Sequence, residues 1–248
     1  MKYFIIFWLV GSFCLAQVNE SFDKANQLYN SGNYQRALST YTSILDASQH
    51  SASLYYNIAN CHYKLNKIAL SIYYYEKGLK YFPNDSSLIQ NLAYLNNLTI
   101  DDIESLPEDI VSKQFNYLLN YFSFNTWSII TIITAILSCV IFLLYFLSKS
   151  SIYKRTYFTI FILSFILTSS LLFVNFKIYN VQTTIEFGIV YKDVIEVNFE
   201  PNEKSEVLFE IHEGTKVEVI ENFDMDWLKI KLSNGQTGWV IKNQIKII

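Results

Sequence analysis

The sequence predicts a multi-domain protein: an all-α stack of helical hairpins, a two-helix transmembrane hairpin and a C-terminal all-β barrel. Three observations predict this. A helical segment repeats with a period of 34 residues. Two uncharged apolar runs each reach the length of about 20 residues that a bilayer requires. From Phe187 onward the apolar periodicity changes to two, the signature of half-buried strands. Composition agrees, with 51% hydrophobic residues and a mean hydropathy of +0.19, between a soluble domain and a membrane bundle. The net charge of −3, with no basic tract, argues against a nucleic-acid partner, because phosphate affinity needs clustered Lys and Arg.

The N-terminal "MKYFIIFWLVGSFCLAQ" has Lys2, an apolar run from Tyr3 to Phe13, and then Cys14-Leu15-Ala16. This is the form of a signal peptide over residues 1–16, with cleavage after Ala16. The apolar run is short of the span length. Bulky Phe13 stands where a lipid-anchored Cys14 would need a small neighbour. With either reading, or with an uncleaved anchor, the chain that follows is exported.

Residues 17–99 carry the helical repeat. "SGNYQRALSTYTSIL" (Ser31 to Leu45) aligns with "LNKIALSIYYYEKGL" (Leu65 to Leu79), so that Gly32 matches Asn66, Tyr41 matches Tyr75 and Leu45 matches Leu79. Small Ala25 and Ala59 match in the preceding helices. Helices are expected near 18–31, 34–47, 52–65 and 68–81, with a fifth near 86–99 capping the stack. The period and the hairpin units resemble the tetratricopeptide repeat. That resemblance implies a concave groove for extended peptides, lined by Phe22, Asn26, Tyr29, Tyr56, Asn60 and Tyr63. Asn amides can pair with a peptide backbone, and Tyr offers flat apolar area with a polar tip. The same residues also suit packing between helices, and both readings stand at this point. Asn26 and Asn57 match the asparagines of the carboxylate-clamp version of the family. Phe22 stands where its Lys would be, which argues against capture of a C-terminal carboxylate.

Residues 100–123 form an acidic linker and juxtamembrane segment. Asp101, Asp102, Glu104, Glu108 and Asp109 surround Pro107 in a spacing unlike a calcium-binding loop, so a solvated linker is expected. Transmembrane helices are expected over 124–147 and 156–176. The connection 148–155 holds Lys149, Lys154 and Arg155 and no acid, which assigns it to the cytoplasm and both flanking domains to the outer side. The spans contain no Asp, Glu, Lys, Arg or His, so an anchor is expected rather than a transport path. Thr131, Thr134, Ser138, Ser164, Thr168, Ser169 and Ser170 are expected to let the two helices pack and hydrogen-bond.

In residues 183–248, "WLKIKL" and "TKVEVIE" alternate apolar and charged residues, and Asn234-Gly235 is a two-residue hairpin signal with both residues at positive φ. Strands are expected near 187–191, 195–199, 207–211, 215–222, 227–232, 236–241 and 244–247, closing into a barrel that removes open edges. Glu213-Gly214, Asp226-Trp227 and Gly238-Trp239 are landmarks by which this segment resembles the bacterial SH3 domain. Trp227 and Trp239 are candidates for an SH3 ligand surface; the competing reading makes both barrel core. From Thr183 to the end there are 7 Lys against 12 Asp and Glu, which argues against anionic wall polymers as ligands.

The order of parts resembles the BatE-type aerotolerance protein family. That resemblance implies an inner-membrane protein of an oxidative or envelope stress complex, encoded beside a MoxR-type ATPase and von Willebrand A-domain membrane proteins. Cys14, Cys61 and Cys139 form no plausible disulfide pair, and with His50, His62 and His212 they have no metal-ligand spacing. No catalytic residue, metal or cofactor is expected, and the chain is read as a non-enzyme. The expected function is a membrane-anchored periplasmic adaptor for protein partners. The alternative is a cell-wall protein holding peptidoglycan through its SH3-like domain. Whether the repeat domain and the barrel touch is open at this stage.

Overall fold

The computed structural model describes residues 20–104, 106–107, 113–114, 117, 119, 121–224 and 226–248. The expected signal peptide (1–16), Glu108 and Asp109 lie outside the described residues. The chain divides into two compact units, Met1–Leu106 with Phe187–Ile248, and Pro107–Glu186. The repeat helices and the β-strands therefore belong to one unit.

In that first unit, α1 (20–30), α2 (Tyr34–Asp46), α3 (Ala52–Lys64), α4 (Ile68–Tyr81) and α5 (Ser86–Asn96) follow one another through short turns. Side chains start two of them: Ser51 Oγ accepts from Leu54 N, and Asp85 Oδ1 accepts from Leu88 N. Gly32 and Asn66, matched in the repeat, both take positive φ (80° and 56°) after a first helix. Glycine and asparagine are the residues that tolerate this conformation. Small residues set the close helix contacts: Ala25, Ala37 and Ala59 are fully buried, and Ser71 Oγ donates to Ala59 O at 2.8 Å.

The expected fifth helix ends at Asn96 and only half caps the stack. Its Leu88, Leu92 and Leu95 are buried, matching Leu54, Ile58 and Cys61 one period earlier. Its other face exposes Ile89 and Ala93. The described residues at the matching start of a second helix, 102–104, 106 and 107, are not helical, in a stretch that holds Pro107 and clustered acids.

The C-terminal segment forms β1 (Glu186–Val190), β2 (Val194–Asn198), β3 (Val207–His212), β4 (Lys216–Phe223), β5 (Trp227–Lys231), β6 (Thr237–Ile241) and β7 (Ile245–Ile247). They make one seven-stranded sheet in the order β3-β2-β6-β5-β4-β1-β7. Every strand contributes to a single core that includes Val190, Ile195, Val197, Ile211, Val217, Leu228, Ile230, Val240 and Ile245. Strands from opposite edges share that core, so the sheet coils around it. The hairpin at Asn234-Gly235 differs from expectation. Leu232 N donates to Gln236 O, and only Gly235 takes positive φ, giving a three-residue loop rather than a two-residue turn.

The segment after α5 is not a solvated linker where it is described. Asp101 accepts from the backbone N–H of His212 (2.7 Å) and from Thr215 Oγ1 (2.5 Å), and its other oxygen meets His212 Nδ1 at 2.7 Å. Ile103 packs against the β-domain core, and Leu106 N donates to Ser233 O at 3.1 Å. These residues strap the β-domain to the end of the repeats. The β-domain also meets α4 directly. Lys216 pairs with Glu76 at 2.7 Å, Lys80 Nζ donates to Ile248 O, and Lys246 Nζ stands 4.5 Å from the Tyr73 ring centre. Ile189 of β1 is fully buried in the repeat core beside Ile72 and Tyr73.

The second unit contains α6 (Phe124–Leu147) and α7 (Ser151–Thr184). Both are long and apolar enough to cross a membrane, with mean hydropathies of 2.7 and 2.2 over their most apolar windows. α7 exceeds the expected 156–176 at both ends, so Lys154 and Arg155 lie on its first turns, and the connection narrows to Ser148–Ser150. The helices are joined by Ser164 Oγ to Ser138 Oγ (3.0 Å), by Asn175 Nδ2 to Thr131 Oγ1 (2.7 Å) and by Ser128 Oγ to Asn175 Oδ1 (3.0 Å). Thr168 is buried, whereas Ser169 and Ser170 are exposed and bond only to carbonyls of their own helix. Those two therefore do not join the pair, and Asn175, absent from the expected set, does.

Candidate binding surfaces

Phe22, Asn26 and Tyr29 lie on α1, and Tyr56, Asn60 and Tyr63 on α3; all six are half-buried. The two asparagines do the same local work. Tyr41 Oη donates to Asn26 Oδ1 at 2.5 Å, and Tyr75 Oη donates to Asn60 Oδ1 at 2.8 Å. Both bonds tie a first helix to the second helix of its own repeat. Asn57 Nδ2 also donates to Asn26 Oδ1 at 3.2 Å. With Oδ1 occupied, the amide orientation is set. The Nδ2 groups of Asn26 and Asn60 make no hydrogen bond among the described residues.

The aromatic members make edge contacts: Phe22 with Tyr41 (5.6 Å), Tyr29 with Tyr34 (5.2 Å), Tyr56 with Tyr75 (6.1 Å) and Tyr63 with Tyr94 (6.2 Å). These residues thus pack against the repeats and still keep partly open faces. Tyr94 extends the row onto α5, its hydroxyl 3.3 Å from that of Tyr63. It stands one period after Asn60, so the repeat offset was the signal for it. Burial first, then Cys61 and the nearby Tyr34 and Tyr56, raise the Tyr29 pKa above its ordinary value.

Trp227 and Trp239 lie on the outer side of the sheet. Their neighbours Leu228 and Val240 point into the core, and both indoles are half-buried. Strand register places Trp227 opposite both Phe223 and Ile241, and Trp239 opposite Lys229. The Trp239 ring meets Phe223 edge-on at 5.7 Å, and Lys229 Nζ stands 5.6 Å from its centre. Glu221, Asp224 and Asp226 are exposed nearby in sequence. The result is an aromatic surface next to acidic groups, suited to a ligand with apolar or cationic parts.

The strap supplies the most polar junction. Asp101 is 14% exposed in its side chain and His212 26%. Burial pushes the Asp101 pKa up, but the His212 backbone bond, the Thr215 bond and the His212 ring outweigh it and hold the carboxyl below its ordinary value. An ionised carboxylate only accepts, so His212 Nδ1 carries the proton in this contact.

His62 is buried under Tyr74, with ring centres 5.1 Å apart, and its Nδ1 has no partner. Burial first, then Lys67 and Lys246, lower its pKa to about 4. A neutral buried ring with this environment is a packing element. Among the described residues there is no group of three or more His, Cys, Asp or Glu able to hold a metal ion.

Residues 52–85 match the tetratricopeptide repeat family, and residues 199–245 match the bacterial SH3 domain family. No curated protein matches the chain. The two matched segments are α3–α4 with the following turn, and the sheet from the end of β2 to the start of β7.

Proposed function

We propose that this protein is a membrane-anchored periplasmic scaffold. Its repeat groove holds a protein segment, and its SH3-like domain offers a second contact on the same unit. The observation that carries this reading is the pair of Asn26–Tyr41 and Asn60–Tyr75 bonds. They orient two amides one period apart with free donors, as repeated recognition of a backbone requires. Tetratricopeptide and bacterial SH3 matches in one chain support interaction rather than catalysis.

Charge supports the proposed topology. Lys149, Lys154 and Arg155 cluster at the short connection, and acids dominate the segment before α6. This charge pattern supports a connection inside and a domain unit outside. Fixing two weak sites to one membrane raises their effective concentration for a shared assembly. The order of domains supports a setting in a Bat/MoxR-type aerotolerance or envelope-stress complex, with von Willebrand A-domain membrane proteins among the partners.

The test is affinity recovery of the full chain in nanodiscs from envelope extract, wild type against Tyr56→Ala/Asn60→Ala. Loss of a discrete partner in the double variant supports the groove; equal recovery refutes it. The bacterial SH3 match also favours peptidoglycan as a ligand. Co-sedimentation of the full chain with purified wall, lost in Trp227→Ala/Trp239→Ala, would establish that second reading.

A further inference from the structure

The repeat itself is a template for what a first helix needs. In the second repeat, α4 covers α3 at two small-residue contacts. Ser71 lies against Ala59, donating to its carbonyl at 2.8 Å. Gly78 lies against Tyr55; a Cβ there would stand 2.9 Å from Tyr55 Cβ and 3.0 Å from Leu88 Cδ1. Tyr55 and Ala59 are fully buried as a result.

One period later stand Ile89 and Ala93 on α5. Ala25, Ala59 and Ala93 occupy the same repeat position; the first two are fully buried and the third is exposed. Ile89 is 45% exposed where Tyr55 is 0%. α5 carries no charged residue on this face or any other. A terminal helix of a repeat array ordinarily turns a polar face to solvent.

The described residues where a covering helix would start, 102–104, 106 and 107, are not helical. Residues 102–115, one period after α4, contain Pro107 and four acids, and Leu106 is already bonded to Ser233. A second copy cannot supply α2 or α4, since each is buried in its own repeat.

We propose that α5 is an open half-repeat, completed in trans by an amphipathic helix of a partner protein. The partner helix presents small residues seven apart, as Ser71 and Gly78 are on α4, to Ala93 and Ile89. The surface continues the stack interface already formed by Leu88, Leu92 and Leu95. It is separate from the groove, so the two readings stand or fall independently.

The probe is a stapled peptide with the sequence of Ile68–Tyr81, which removes the cost of forming a short helix. It is titrated by fluorescence against the full chain in nanodiscs. Saturable binding is expected, weakened at least tenfold by Ile89→Glu and unchanged by Tyr56→Ala. A control peptide with Ser71→Leu and Gly78→Leu is expected to bind at least tenfold more weakly. Absence of saturable binding, or binding indifferent to Ile89→Glu, overturns the proposal. So does a full-chain dimer that Ile89→Glu dissolves, since the face would then belong to a second copy. Loss with Tyr56→Ala alone would assign the peptide to the groove and also overturn it.

Discussion

Asp101 and His212 are 111 residues apart in sequence, and the Asp101 carboxylate meets the His212 ring nitrogen at 2.7 Å. The same carboxylate takes the His212 backbone N–H and the Thr215 hydroxyl. One acid of the strap therefore joins the end of the repeats to the turn between β3 and β4. Asp101→Ala leaves these part-buried donors without their acceptor, at a cost of about 2 kcal/mol or more. Amide hydrogen exchange of the full chain is expected to quicken in β3, β4 and α5, and not in α1 or α2. Asp101→Asn keeps one acceptor oxygen and is expected to fall between wild type and Asp101→Ala.

The same junction responds to acid. The Asp101 pKa is lowered on folding, so its contribution is present above the unfolded value of about 3.9 and is lost as pH falls through the lower folded value. His62 acts over a higher window. Its folded pKa is about 4, against an ordinary 6.5, so the unfolded chain binds its proton first as pH falls. Stability falls from near pH 6.5 toward pH 4, by at most about 1.4 kcal/mol per pH unit. His62→Phe is expected to flatten that part of the urea-midpoint curve and leave the Asp101 part intact.

Gly214 tests the docking by volume. A Cβ there would stand 2.7 Å from Thr99 Cγ2 and 2.9 Å from Ile72 Cδ1. Gly214→Val is expected to cost about 1–3 kcal/mol by overpacking, beyond the strain of its positive φ, and to loosen the β-domain from the repeats. Limited proteolysis checks it, with cleavage near Thr99 rising while the separated fragments stay resistant.

In the second unit, Asn175 bonds across to both Ser128 and Thr131. Asn175→Leu is expected to weaken association of α6 and α7 by about 1–2 kcal/mol, whereas Ser169→Leu on the outer face is nearly neutral. A helix-pair association assay in bilayers separates them.

Much of this fold was legible because periodicity reports burial. The 34-residue match located α2 to α5, and alternation located the strands within a residue or two. Asp101 was not legible: in sequence it is one of five clustered acids, and only the folded chain brings His212 and Thr215 to it. Asn175 was missed because a search for charges passes over a neutral amide. Ser169 and Ser170 were misread because a uniformly apolar helix gives no sequence signal for which side meets its neighbour. The groove residues were found by helix position. Their bonding, with each Asn carbonyl taken by a tyrosine of the next helix, required coordinates.

The central claim is that the repeat groove holds a protein on the outer side of the membrane. Its most direct test is a photo-crosslinking amino acid placed at Tyr63 in the full chain in living cells. The account predicts a discrete protein adduct that disappears with Tyr56→Ala/Asn60→Ala while the chain stays folded in the membrane. No protein adduct, or one of equal yield in the double variant, would contradict it.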